Sequence, residues 1–177
     1  MTRLQGLAPV LDANTRLLVL GSFPGVASLR AQQYYGHPQN QFWKILGVLW
    51  SSPLPSLPYA ERTGAALRHG LGIWDVYAAC EREGSLDTAI RSAELNDLGS
   101  LRQRCPSLEA IAHNGGESFR HARHTEALGL PVYKLPSTSP ANASWSFERK
   151  LTAWSEVLQR HGLTHRMDHD PIRTRLP

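Results

Sequence analysis

Arg16-Leu-Leu-Val-Leu-Gly21, followed at once by Ser22-Phe-Pro-Gly25, is a short apolar run that ends in glycine and opens into a Pro/Gly loop. Four consecutive aliphatic residues show neither helical spacing nor the alternation of a half-wet strand. A strand buried on both faces of a parallel sheet has this pattern. Downstream, the spacing of Phe42, Ile45, Leu46 and Leu49 predicts a helix over 38–50, with Pro38 at its first position, where no backbone donor is missed. A second helix is expected near 60–69, a strand over 71–76, and a helix marked by Leu95, Leu98 and Leu101. A strand over 108–112, a helix over 117–128 and a strand over 131–135 follow, then a final helix with Phe147, Leu151, Trp154 and Leu158 on one stripe.

Strands alternating with helices predict an α/β fold, a three-layer α/β/α sandwich around a central four-stranded parallel sheet. Residues 1–163 are read as that domain, and 164–177 as a polar, basic tail without periodicity, expected to be flexible. Ligands of such sheets sit beyond the carboxyl ends of the strands. Three loops converge there: 21–25, 112–116 and 136–144.

The composition excludes several classes. The chain has 177 residues, 41% of them hydrophobic and five of them Trp, which suits one ordinary domain. No stretch approaches the ~20 apolar residues of a membrane span. The start, residues 1–9, lacks the charge and apolar run of a signal peptide. The expectation is a soluble, cytoplasmic protein with no membrane partner. Cys80 and Cys105 are too few for a disulfide framework and form no C-x-x-C pair. The net charge of +4 suits an acidic partner, nucleic acid first.

The first loop leads into Tyr34-Tyr-Gly-His-Pro-Gln-Asn-Gln-Phe-Trp43, and the last loop reads Leu135-Pro-Ser-Thr-Ser-Pro-Ala-Asn142. These blocks resemble the mismatch-specific uracil-DNA glycosylases of the uracil-DNA glycosylase superfamily, whose first loop is Gly-x-x-Pro-Gly and whose next block is His-Pro-x-Asn-x-Phe-Trp. Together with Gly84-Ser-Leu-Asp87 and His113-Asn-Gly115, the set is most similar to the hypoxanthine-DNA (deoxyinosine) glycosylase branch, over about residues 9–160. The order of the motifs, each at a strand end or helix start, carries the likeness; a lone Gly-x-x-Pro-Gly is weak.

One position departs from the mismatch-specific pattern. Their catalytic asparagine is the third residue of the first loop, where this chain has Phe23, which cannot hold water. No Asp or Glu lies between Leu17 and Leu49, so a carboxylate general base within this motif is excluded. The resemblance implies that Asn40 takes the catalytic role. Departure of a base creates an oxocarbenium-like sugar and an anionic leaving group. Preorganised dipoles beside those charges can replace a strong base. Asn40 is expected in the first turn of its helix, in the positive field of unpaired N–H groups. The plainer alternative is an asparagine that hydrogen-bonds its own loop.

The resemblance makes Tyr35 the aromatic that stacks on a flipped base, with Phe23 as a second wall and Ser22 beside it. Asn114 either reads the base edge, where hypoxanthine and uracil each offer an N–H beside a carbonyl, or serves as a turn residue before two glycines. His37 and the loop Ser137, Thr138, Ser139, Pro140, Ala141, Asn142 are expected to grip the duplex, Pro140 and Ala141 entering the vacated stack. The same loop also offers Asn142 or Ser144 as a helix cap. Arg120, Arg123, Lys134, Arg149 and Lys150 are candidate phosphate contacts, although single basic residues are more often ordinary solvated charges. Asp75 and Asp87 read as helix caps or loop ties. Ser22, His37 and Asp75 lack the Gly-x-Ser-x-Gly elbow of a hydrolytic triad. Lys44 reads as a solvated charge rather than a Schiff-base amine. His121 with His124, and His161, His165 and His169, have no carboxylate or cysteine pattern beside them, so no metal site is expected.

The implied activity is that of a monofunctional DNA glycosylase in base excision repair. It would hydrolyse the N-glycosidic bond of a deaminated base, hypoxanthine preferred, leaving an abasic site without metal or organic cofactor. The partner would be damaged DNA, duplex or single-stranded, and the protein a monomer. The alternatives are a uracil or mismatch-specific DNA glycosylase, and a non-catalytic damaged-DNA-binding protein of the same fold.

Overall fold

The computed structural model describes residues 2–165. In chain order its strands are β1 (Arg3–Gln5), β2 (Leu17–Gly21), β3 (Leu71–Asp75), β4 (Tyr77–Glu81), β5 (Arg91–Leu95), β6 (Ala110–Asn114) and β7 (Val132–Leu135). The helices are α1 (Val26–Ala31), α2 (Phe42–Leu49), α3 (Tyr59–Arg68), α4 (Leu101–Arg104), α5 (Gly116–Phe119), α6 (Ala122–Glu126) and α7 (Phe147–Arg160). None is long and apolar enough to cross a membrane.

Every residue of β2, β3 and β6 is buried, which is why they are mostly apolar, with Asp75, His113 and Asn114 the polar exceptions at their carboxyl ends. With β7 they form a four-stranded parallel sheet in the order β3-β2-β6-β7. Leu17, Leu18 and Leu20 are each wholly excluded from water, contributing ~1.5–3 kcal/mol apiece. The α2 stripe joins the same buried cluster as the sheet, and Phe42 meets Trp154 of α7 edge to face at 5.9 Å. In register, Gly21 lies beside Asp75, and Asn114 beside Leu135. Those four residues end the four strands at one edge of the sheet.

Several local expectations need correction. A second sheet exists, antiparallel, in the order β1-β4-β5. Val76 alone separates β3 from β4, and its N–H donates to the Gly21 carbonyl as the chain leaves the parallel sheet. β5 covers part of the segment read as helical at Leu95. All five of its residues are exposed, so no apolar alternation marks it, and backbone pairing with β4 carries it. The predicted helix over 117–128 is two short ones. Ser118 and Thr125 both reach the buried His113 ring, at 2.8 Å each. A continuous helix would set them about 10 Å apart along its axis, and the break at His121 removes that separation.

The last helix is capped by Ser146, whose hydroxyl accepts from the Arg149 N–H, rather than by Asn142 or Ser144. Thr164, assigned to the tail, donates its hydroxyl to the Leu49 carbonyl. The rest of that polar stretch, from 166 onward and including His169, lies outside the described residues.

Candidate active site

The ends of the parallel strands open into a cavity of about 770 Å³. The loops after β2, β6 and β7 form its walls, as the strand order requires. Every side chain given a role from the sequence lines it: Asn40, the first-loop residues, Tyr35, His37, Asn114 and the 137–142 segment. Of the basic candidates, Lys134 joins them; Lys150 is packed away at 2% exposed, too deep for a phosphate contact.

The first loop is held from behind. Arg82, buried at the end of β4, donates to the carbonyls of Pro24 and Gly84 and covers the Phe23 ring at 5.3 Å. Phe23 is therefore a packed wall, 6% exposed, rather than a free stacking surface. Ser22 donates its hydroxyl to Asp87 at 2.6 Å, and Ser85 accepts from the Val26 N–H. The 82–90 segment thus fixes the loop that follows β2.

Tyr34 anchors the next wall. Its hydroxyl lies 3.0 Å from the carbonyls of Leu7 and Ala8, and its carbonyl accepts from the Trp43 indole. That grip holds Tyr35 at φ +55°, a left-handed conformation that costs an ordinary side chain ~1–2 kcal/mol. One face of the Tyr35 ring stacks on Phe42 at 4.1 Å, and its hydroxyl sits over Gly21.

Asn40 does not lie in the first turn of α2. The helix begins at Phe42 because residues 37–41 are engaged elsewhere. The Asn40 N–H donates to the His37 carbonyl and the Gln41 N–H to the Thr138 carbonyl. The Asn40 carboxamide oxygen accepts the Phe42 N–H at 3.0 Å, the bond that the loop-bonding alternative expects. That bond fixes the amide orientation. One lone pair of the oxygen remains, and the amide nitrogen has no partner among the described residues. His37 is exposed at the rim, with its Nδ1 accepting from the Gln39 N–H.

Asn114 ends β6 rather than sitting in a turn. Its oxygen accepts the Thr138 N–H at 3.1 Å, and its amide donates to the Thr138 hydroxyl at 3.0 Å. One N–H and one lone pair are left for a ligand. Thr138 is 1% exposed and its carbonyl takes the Gln41 N–H, so it staples two walls together rather than facing a phosphate. Ser137 and Ser139 accept the N–H groups of Ser139 and Ala141 in a tight turn that leaves Pro140 and Ala141 exposed at the tip. Asn142 ties the turn shut through the Ser137 carbonyl. The Trp154 indole holds its base by donating to the Pro136 carbonyl.

Two cavity carboxyls escaped the sequence reading. Asp75 ends β3 and caps no helix; it is 4% exposed and lines the cavity. Burial, reinforced by the charge of Asp87 and opposed by Arg82, pushes its carboxyl up to about 7. Asp87 ties a loop as expected, through Ser22, but also faces the cavity. The residue is exposed overall, yet loss of water around its carboxyl raises it, while the Ser22 hydroxyl pulls it down. The signal was present in one place: an acidic residue closing the apolar run Leu71-Gly-Ile-Trp-Asp75 sits where no buried strand wants a charge. Among the described residues no group of three His, Cys, Asp or Glu comes together that could hold a metal ion.

Comparison with known proteins agrees with this geometry. The model of the family described as "Uracil DNA glycosylase superfamily" matches residues 8–159. A hypoxanthine DNA glycosylase of Methanosarcina barkeri (strain Fusaro / DSM 804) is 40% identical over 156 residues, covering 88% of this chain and 98% of that protein. Its namesake from Methanosarcina acetivorans is 36% identical over 155 residues, with the same coverage. The solution NMR structure of a putative uracil DNA glycosylase from Methanosarcina acetivorans superposes with a TM-score of 0.82 at 35% identity, covering 91% of this chain and 99% of that one. With motifs, strand-end cavity and near end-to-end relatives in agreement, the chain belongs to the uracil DNA glycosylase superfamily.

Proposed function

We propose that this protein is a monofunctional DNA glycosylase that excises hypoxanthine from DNA and leaves an abasic site. One observation carries the reading. Residues distant in sequence, Tyr35, Asn40, Asn114 and the 137–142 loop, open on a single cavity at the strand ends. Its volume of about 770 Å³ lies in the ~300–1,000 Å³ range of small-molecule sites and admits a purine. The two hypoxanthine DNA glycosylases similar to it support that base over others.

The flipped base stacks on the open side of the Tyr35 ring, a contact worth ~1–3 kcal/mol. Asn114 offers its remaining N–H and lone pair to the base edge, with Ser22 and Phe23 forming the opposite wall. The strained Tyr35 backbone fixes the ring before the base arrives, so little ordering remains to be done on binding. Asn40 uses its second lone pair to hold the attacking water against the sugar, and the amino end of α2 beside it favours the departing negative charge. Pro140 and Ala141 at the exposed tip enter the stack, and Lys134 and His37 at the rim meet the phosphates.

The test is a set of short duplexes, each carrying hypoxanthine, uracil, xanthine or a mismatched thymine, incubated with protein and cleaved with alkali. Cleavage at hypoxanthine supports the reading; cleavage at uracil alone keeps the family and rejects the base. Asn40→Ala should lower single-turnover release by about 10²–10³ while binding persists. An unchanged rate would remove Asn40 from the chemistry. Tight binding of damaged duplex without any release would favour a non-catalytic role instead.

A further inference from the structure

The geometry points to Asp75 as a catalytic acid of the same cavity: its carboxyl meets the flipped purine and gives a proton to ring nitrogen N7 as the glycosidic bond breaks. This rests on the glycosylase reading above. Asp75 ends β3 directly beside Gly21 in register, under the loop that carries the first motif. A side chain at Gly21 would place its Cβ 2.5 Å from the Asp75 Oδ1 and 3.0 Å from the Tyr35 hydroxyl. The bare strand end at Gly21 is thus what lets the carboxyl and the hydroxyl close over the cavity floor.

Neither carboxyl oxygen of Asp75 has a hydrogen-bond partner among the described residues, and Oδ2 is fully buried. The Tyr35 hydroxyl beside it is buried and unpartnered too. The charged and titratable groups facing Asp75 are Asp87 and Arg82 from the β4–β5 side, and Tyr34 and Tyr35 from the loop before α2. Its backbone carbonyl is occupied by the Asn96 amide. A buried, unpaired carboxylate is strongly destabilising, so a purely structural residue here would be served better by an apolar or amide side chain. A neutral carboxylic acid waiting for an acceptor explains the position, and burial with the nearby Asp87 charge keeps its proton on to about pH 7.

The chemistry separates purines from pyrimidines. A purine leaves well only when its imidazole ring is protonated, whereas uracil spreads its negative charge over two carbonyls. In the proposed step the C1′–N9 bond breaks and its electron pair moves into the ring, while N7 takes the proton from Asp75. Water held by Asn40 adds to C1′ and returns one proton to the Asp75 carboxylate. The products are neutral hypoxanthine and an abasic site, with the acid restored. Asp87, tied to Ser22, adds to the burial that favours the protonated form of its neighbour.

Single-turnover release of hypoxanthine and of uracil, from pH 5.5 to 8.5, tests the proposal with wild type and Asp75→Asn. Wild-type hypoxanthine release should fall about tenfold per pH unit above about pH 7. Asp75→Asn should lose that limb, drop about 10² at pH 6, and lose about tenfold more on hypoxanthine than on uracil. Equal losses on both bases, a persisting limb, or a wild-type rate that climbs through neutrality would each overturn it. If the wild type releases hypoxanthine alone, the pH profile decides. Should the variant not fold, carbon-13 NMR of the wild-type carboxyls with free hypoxanthine added gives a second reading. The Asp75 resonance should move on binding, and a fixed resonance overturns the assignment. Absence of release from any duplex would instead sink the glycosylase reading, and the Asp75 role with it.

Discussion

At the scale of single residues, the site reuses side chains for structure and for chemistry. Asn40 is a helix-start hydrogen-bond acceptor and the proposed water holder, through different lone pairs of one oxygen. Its removal therefore costs the fold about 1 kcal/mol as a lost hydrogen bond, a loss that thermal unfolding separates from the far larger loss of rate. Phe23 shows the opposite balance. It stands where the mismatch-specific pattern that the chain resembles has asparagine, yet it is 6% exposed, under Arg82 and against Gly6. Phe23→Asn should therefore not restore uracil chemistry. It should destabilise by about 3–5 kcal/mol, through a void and a buried amide, read as a lower midpoint in urea. A variant with wild-type stability and faster uracil release would show that Phe23 merely fills an old catalytic position. The motifs marked Phe23, Tyr35 and Asn40 in the sequence, and all three line the cavity. At Asp75 the sequence shows only an acid closing an apolar strand; its place in the cavity depends on Gly21, 54 positions earlier (75 − 21), lying beside it in the sheet.

Between elements, the working part is a staple. Asn114 at the end of β6 and Thr138 after β7 bond each other twice, and the Thr138 carbonyl receives the N–H that precedes α2. Three elements that carry cavity-lining residues are thereby locked in one register. Thr138→Val keeps the shape but leaves the Asn114 amide short of an acceptor, a cost of about 1–3 kcal/mol. A double-mutant cycle with Asn114→Ala should give a coupling of about 0.5–3 kcal/mol in urea unfolding. Glycosylase rates of Thr138→Val should fall as well, because the loop bearing Pro140 and Ala141 loses its anchor. Additive stabilities would mean that the two bonds contribute independently. Sequence alone assigned Thr138 to a phosphate, since a hydroxyl in a Ser/Thr/Pro loop looks the same whether it faces a partner strand or DNA.

The whole molecule couples the site to stability through two buried groups of opposite sign. Asp75 keeps its proton to about pH 7 when folded, whereas an unperturbed aspartate releases it near 3.8. Between those values the folded state holds the extra proton, so this group makes stability fall as pH rises. His113, buried between Ser118 and Thr125, is held neutral down to about pH 4 against an ordinary 6.5, with burial the main cause. There the unfolded state holds the extra proton, so stability rises with pH. Each slope is about 1.4 kcal/mol per pH unit, and the two offset from about pH 4 to 6.5. Asp75→Asn should expose the His113 slope: its stability, from urea unfolding at several pH values, should climb by about 1.4 kcal/mol per unit more steeply than wild type. Parallel curves would place the Asp75 proton elsewhere. A neutral imidazole also has one N–H for two hydroxyl neighbours, so Ser118 or Thr125 must give up its bond to a backbone carbonyl.

The sequence by itself determined the α/β class, the four parallel strands, the loops that carry the site, and the family, because buried strands and motif spacing are local patterns. Tertiary structure decided what those patterns could not hold. It built the second sheet with β5, whose residues are all exposed and which is held by backbone pairing with β4 and by Arg3 of β1. It started α2 at Phe42, because Gln41 gives its N–H to a carbonyl 97 positions later (138 − 41). It turned Thr138 inward and brought two carboxyls to a cavity whose first motif has none. A side chain's partners follow from which strand ends become neighbours, and that is a property of the folded sheet rather than of any segment of the chain.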